Sequence, residues 1–144
     1  MNKVIFSSRS CEWETPQWLF DQLDEEFHFT IDVAANQENH KCDRYYTEED
    51  DGLSKSWEGE TVWLNPPYGL EVRRWMRKAW EEHKQHGITI VTLVPSRTDV
   101  AWFHDFVYGK AEIRFIRGRL HFSNSKSPAT FPSMIVIYRG NLHD

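Results

Sequence analysis

Apolar residues recur along this chain with two alternating periods. Trp18, Leu19, Leu23 and Phe27 fall at roughly helical spacing behind Thr15, a residue type that caps helices, and Pro16, which suits a first helical position. The pattern then switches to period two. Phe29, Ile31 and Val33 alternate with Thr30 and Asp32, which predicts a strand with Asp32 near its carboxyl end. Residues 36–59 are polar, and only Tyr45-Tyr46-Thr47 reads as extended.

Val62-Trp63-Leu64 is an apolar run halted by Asn65-Pro66-Pro67-Tyr68, because two consecutive prolines remove two ladder donors. Beyond it, Val72, Trp75, Met76, Ala79 and Trp80 mark one face of a helix. Arg73, Arg74, Arg77 and Lys78, followed one turn later by Glu81 and Glu82, read as its solvated side. Residues 88–94 form a β-branched run ended by Pro95, residues 99–107 read as a helix with Trp102, Phe103 and Phe106 inward, and 111–116 and 133–138 supply two more strands. The long connection between those two, through Gly118 and the polar stretch 123–128, suits an antiparallel return. Strands alternating with helices predict an α/β chain whose mostly parallel sheet is covered on both faces.

At 144 residues the chain buries roughly 68–70% of its unfolded surface on folding, enough for one core, so residues 1–144 read as a single domain. No apolar run nears the about 18 residues a membrane span requires, and the amino terminus lacks the pattern of a signal peptide, so a soluble, cytoplasmic protein with no membrane partner is expected. Cys11 and Cys42 lack a disulfide framework spacing, and His40 with Cys42 supplies only two ligands, so no metal is expected. The net charge of −5 speaks against a nucleic-acid partner, since Lys and Arg supply most phosphate affinity. Its distribution softens that objection. Acids crowd 21–26 and 48–51, whereas Arg114, Arg117, Arg119, Lys126 and Arg139 make the last third basic; the alternative is that these arginines are scattered solvated charges.

The proline-bounded motif carries chemistry. An exocyclic amine on a base is a poor nucleophile because its lone pair is delocalised into the ring. Two acceptors, the Asn65 side-chain carbonyl and the Pro66 main-chain carbonyl, can bind its two N–H groups and aim the lone pair at a methyl donor, while the stiff Pro66-Pro67 backbone fixes their relation. Tyr68 is the candidate platform for the base, a contact worth roughly 1–3 kcal/mol on aromatic surfaces. A base in a duplex must first be flipped out. The bland alternative is an ordinary strand-ending turn.

With its flanking pieces, the motif resembles the small phage-type DNA adenine methyltransferase family, the Dam family of phages and prophages. The resemblance runs from about Trp13 to Tyr138. It rests on Trp13-Glu14-Thr15-Pro16, Asp32-Val33-Ala34-Ala35, Asp51-Gly52-Leu53, Asn65-Pro66-Pro67-Tyr68, the stretch 94–99 with Trp102 and His104, Arg117-Gly118-Arg119 and Phe131-Pro132-Ser133.

The resemblance implies a Rossmann-like S-adenosylmethionine-dependent methyltransferase fold with a reversed last strand. It also implies S-adenosylmethionine as donor, S-adenosylhomocysteine as product and double-stranded DNA as partner. Asn65, Pro66, Pro67 and Tyr68 are then the catalytic set. No glycine-rich turn follows the first strand; Ala34 and Ala35 stand there instead. Candidate cofactor contacts are Thr15 and Pro16 at the methionine end, Asp32 for its ammonium or a water, Ala34, Ala35 and Asn65 nearby, and Asp51 with Leu53 beside the adenosine. Candidate DNA contacts are Arg97, Trp102, Arg117 and Arg119, with Trp102 walling the base pocket; the alternative has Asp99 capping a helix and Trp102 in the core. A monomer or homodimer is expected.

Two other classes stay open: methylation of RNA bases or protein glutamine amides, whose N–H₂ groups present the same donors, and a non-catalytic, degenerate methyltransferase module.

Overall fold

The computed structural model describes residues 13–141, so Cys11 lies outside the described residues. Among the described residues there are three helices and five strands: α1 Gln17–Phe27, β1 Ile31–Asp32, β2 Val62–Leu64, α2 Val72–His86, β3 Ile90–Pro95, α3 Ala101–Phe106, β4 Glu112–Phe115 and β5 Ser133–Tyr138, with a 3-10 turn at Gly52–Ser54. The strands form one sheet in the order β1-β2-β3-β5-β4. β1, β2 and β3 run parallel, and β5 is antiparallel to both its neighbours. The sheet is therefore parallel except for the reversed last strand. It is the methyltransferase-type architecture that the alternating pattern and the family resemblance together led us to expect.

Register decides which side chains face which layer. Val62 and Leu64 pair with Ile90 and Thr92, and Trp63 with Val91. Thr92 meets Met76 of α2, and the Tyr138 hydroxyl donates to the main-chain carbonyl of Phe106 in α3, so α2 and α3 cover one face. On the other face Phe20 of α1 lies edge-on to Trp63, with ring centroids 5.5 Å apart. Trp57, Trp63, Leu64, Ile90, Leu93 and Tyr138 are almost wholly buried between these layers. Burying one such side chain stabilises the fold by about 1.5–3 kcal/mol, so the sheet interior dominates the energetics.

Several local expectations are corrected. Thr15 does not cap α1: Pro16 occupies the cap position, no side chain bonds the first turn, and the Thr15 hydroxyl is buried and used elsewhere. Strand β1 is only two residues long, although the Thr30 and Val33 N–H groups on either side still donate to the Thr61 and Trp63 carbonyls. Tyr45 contributes a single parallel bridge to Asp32 rather than a strand. Glu82, expected on a solvated face, is 7% exposed; its carboxylate accepts from the Trp57 N–H at 2.7 Å and from Lys78 Nζ at 3.0 Å. A buried carboxylate is tolerable here because it is paired. Asp99 does not cap α3, whose cap position is Val100; it lies 3.5 Å from Arg97 Nε instead.

Candidate functional site

Parallel strands β1 and β2 both end in segments that leave the sheet, and the space above their carboxyl ends is a cavity of about 600 Å³. That is where open α/β sheets bind ligands, and the volume is that of a drug-sized molecule. Six segments build the walls, one of them carrying Asn39 and Lys41. Asp32, Val33, Ala34 and Ala35 come from the end of β1; Asn65, Pro66 and Pro67 from the end of β2. Trp13 and Thr15 lie before α1, Asp51 and Leu53 belong to the 3-10 region, and Glu71 and Arg74 open α2.

Asn65 is the most informative of these. Its Nδ2 donates to the main-chain carbonyl of Trp13 and, at 3.0 Å, to Thr15 Oγ1. A carbonyl oxygen can only accept, so the amide orientation is fixed by its partners. The other end of the amide, Asn65 Oδ1, is buried and has no hydrogen-bond partner. Buried acceptors without partners are rare and costly, about 1–3 kcal/mol each. This one belongs to a residue that lines the cavity.

Asp32 is 3% exposed. Its Oδ2 accepts from the Lys41 N–H at 2.9 Å and its Oδ1 from the Ala34 N–H at 3.4 Å. Burial pushes its carboxyl up to about 6, against the opposing pull of those N–H groups. A nearly buried carboxylate at a cavity wall attracts a cationic ligand, which recovers part of the desolvation cost. Gly52, also on the wall, is packed so closely that an added Cβ would lie 2.3 Å from the Val33 carbonyl oxygen. The backbone of the 3-10 turn thus presses directly on the end of β1.

The structure brings together Thr15, Asp32, Ala34, Ala35, Asp51, Leu53, Asn65, Pro66 and Pro67 around one cavity. It does not bring in the rest. Pro16 caps α1, its carbonyl accepting from the Leu19 and Phe20 N–H groups, and it does not line the cavity. Tyr68 was expected to present an open stacking face; its ring is buried and packed edge-on against Phe122 at 6.2 Å and Phe131 at 5.8 Å, and its hydroxyl donates to the Leu93 carbonyl at 3.2 Å. Burial also raises the ionisation of that phenol above its ordinary range. Trp102 packs in the core and does not line this cavity.

Arg97, Arg117 and Arg119 are exposed at the carboxyl end of the sheet, outside the cavity, where Arg119 Nη1 also donates to the Thr130 carbonyl at 2.8 Å. Arg114 and Arg139, counted with them as a basic surface, are neutralised. Arg114 clamps both Glu26 oxygens at 2.8 Å and Glu112 at 2.9 Å, and Arg139 Nε lies 3.0 Å from Glu112.

Sequence reasoning assigned no role to the Trp13 carbonyl, Lys41, Glu71 or Arg74. The first two act at the site through main-chain atoms, which carry no side-chain signal. Glu71 and Arg74 could have been found from their place within two turns of the proline motif.

A family model described as DNA N-6-adenine-methyltransferase (Dam) matches residues 5–141. The chain is 28% identical over 134 residues to the DNA N-6-adenine-methyltransferase of Haemophilus phage HP1, covering 88% of this chain and 77% of that relative. It is 33% identical over 110 residues to the DNA N-6-adenine-methyltransferase of Escherichia phage T1, covering 75% of this chain and 45% of the relative. Among solved structures it is similar in fold to a Pyrococcus horikoshii protein described as an RNA methyltransferase, with a TM-score of 0.57 at 13% identity over 91% of this chain and 87% of that one.

Proposed function

The chain belongs to the DNA N-6-adenine-methyltransferase (Dam) family, and from that premise we infer that it methylates the exocyclic amine of adenine in double-stranded DNA. The observation that carries the mechanism is the partnerless Asn65 Oδ1, held at the cavity by an amide whose other end is fixed. Oδ1 accepts one N–H of the target amine, and the Pro66 carbonyl accepts the other. With both protons held, the nitrogen is drawn towards a pyramidal form and its lone pair is aimed into the cavity. The contribution is one of positioning and fixed dipoles, set before the substrate arrives.

The cavity suits a cofactor of S-adenosylmethionine type in volume and in donor set. When bound, S-adenosylmethionine supplies a methyl group on a sulfonium centre, open to direct in-line attack. Asp32 and Thr15 hold its methionine end, Ala34 and Ala35 leave room against β1, and Asp51 with Leu53 flank the adenosine. No covalent enzyme intermediate is needed, and the proton lost from the methylated amine leaves to water.

Tyr68 would reach the base only after Phe122, a fully buried core side chain, and Phe131 were displaced from it; both belong to residues 116–132, a segment without helix or strand. Arg97, Arg117 and Arg119 flank the duplex at the same end of the sheet.

The test is transfer of labelled methyl from S-adenosylmethionine to unmethylated duplex DNA, followed by nucleoside analysis. Label on the N6 of adenine supports the reading, and label accepted only by RNA or protein overturns it.

A further inference from the structure

We propose that Leu70 is the wedge that enters the base stack when the target adenine leaves it. This rests on the reading of the chain as a DNA adenine methyltransferase. Leu70 is 96% exposed, an extreme value for a large apolar side chain. It stands at the crest of a turn closed by the Val72 N–H on the Gly69 carbonyl at 3.3 Å, with Gly69 at φ +96°. The turn is short because only glycine readily takes that φ.

Position gives the exposure its meaning. Pro67 and Glu71, on either side of the turn, line the cavity, so Leu70 is on its rim a few residues from Asn65. Arg73, Arg74 and Arg77 follow on α2 with side chains 55%, 65% and 60% exposed, paired with Asp105, Glu71 and Glu81 in turn, and such exposed pairs are weak enough for a phosphate to replace the acid. Trp18, an exposed apolar side chain of α1, sits instead among Asp21, Asp24 and Glu25, which repel a phosphate backbone. A flipped base leaves a gap in the stack, and apolar wedges of leucine size fill such gaps in other DNA complexes. An apolar side chain held in water at the rim of that cavity gains burial when a DNA duplex docks over it.

The experiment first maps methylated adenines on unmethylated plasmid DNA treated with the wild-type protein and S-adenosylmethionine. A duplex of that sequence is then made twice, fully paired and with an abasic site opposite the target adenine. Single-turnover transfer is measured for wild type, Leu70→Ala and Leu70→Met. Leu70→Ala is expected to lose about tenfold or more on the paired duplex and less than about threefold on the abasic one, with Leu70→Met close to wild type, since the abasic site removes the pairing that the wedge must replace. Equal losses on the two duplexes, or no loss on either, overturn the wedge while leaving the reaction intact. A wild-type protein that methylates no adenine in the plasmid overturns the reaction and the wedge with it.

Discussion

Asn65 and Trp13, 52 positions apart, are joined by a hydrogen bond from the Asn65 amide to the Trp13 main-chain carbonyl. That bond turns a strand-end asparagine into an oriented acceptor, because the end of the amide that could donate to a ligand is occupied.

Asn65→Ala is expected to reduce methyl transfer by a factor of about 10² or more while leaving donor affinity within a few fold, as for loss of one preorganised polar contact to a reacting group. Asn65→Asp should fare no better. A carboxylate cannot donate to the Trp13 carbonyl and places two oxygens in opposition there. Labelled transfer and equilibrium donor binding, measured on the same samples, check both. Turnover within a few fold of wild type in Asn65→Ala would remove the basis of the mechanism.

Tyr68 separates stability from stacking. Tyr68→Phe removes only the bond to the Leu93 carbonyl and is expected to lower stability by about 1 kcal/mol, with transfer within a few fold of wild type. Tyr68→Ala loses the ring as well, and its transfer should fall much further than its stability explains. Chemical denaturation and transfer assays on the pair give the comparison.

On the proposed function, Asp32 should make donor binding depend on pH. Burial pushes its folded carboxyl up to about 6, above the ordinary 3.8, so its protonated form favours the folded state. The stability it contributes is fully present below the unfolded value and is lost as pH rises through about 6. A cationic donor favours the opposite form, so its affinity should rise as pH climbs through 6, by about tenfold between pH 5 and 7.5. In Asp32→Asn that slope should flatten. Calorimetric binding across this range would show it, and an equal slope in the variant would show that another group is responsible.

Gly52→Ala tests the contact between the 3-10 turn and β1. The added methyl meets the Val33 carbonyl oxygen at 2.3 Å and the Trp75 ring at 3.2 Å, and backbone cannot swing aside. A loss of about 1–3 kcal/mol is expected in denaturant unfolding, with weaker donor binding, because the turn also walls the cavity.

Much of this architecture was legible because local pattern and tertiary role coincide. Ser133–Tyr138 is apolar on both sides and forms a fully buried strand, and the period of Val72, Trp75, Met76 and Ala79 places the inward face of α2 correctly. The Asn65 motif was readable for a similar reason, since prolines end a strand from within. What escaped depends on distant partners. Thr15 has the chemistry of a cap, but its hydroxyl is taken by Asn65. Tyr68 follows the motif as an exposed platform would, and only the fold of 116–132 lays Phe122 and Phe131 over it. Arg114 belongs to a basic stretch in sequence, yet Glu26, 88 positions away, takes its charge.

Strand β1 pairs over two residues and meets Tyr45 beyond it by a single bridge, while β3 and β5 pair over six positions. The cavity wall formed by β1 is therefore the loosest seam of the sheet, and on the proposed function a donor seated there would close it. Amide protons of residues 32–47 should exchange first in the ligand-free chain and slow when the donor is present. The lifetime of this protein against cellular proteases would then follow the supply of methyl donor, tying how long the enzyme lasts to whether it has anything to transfer.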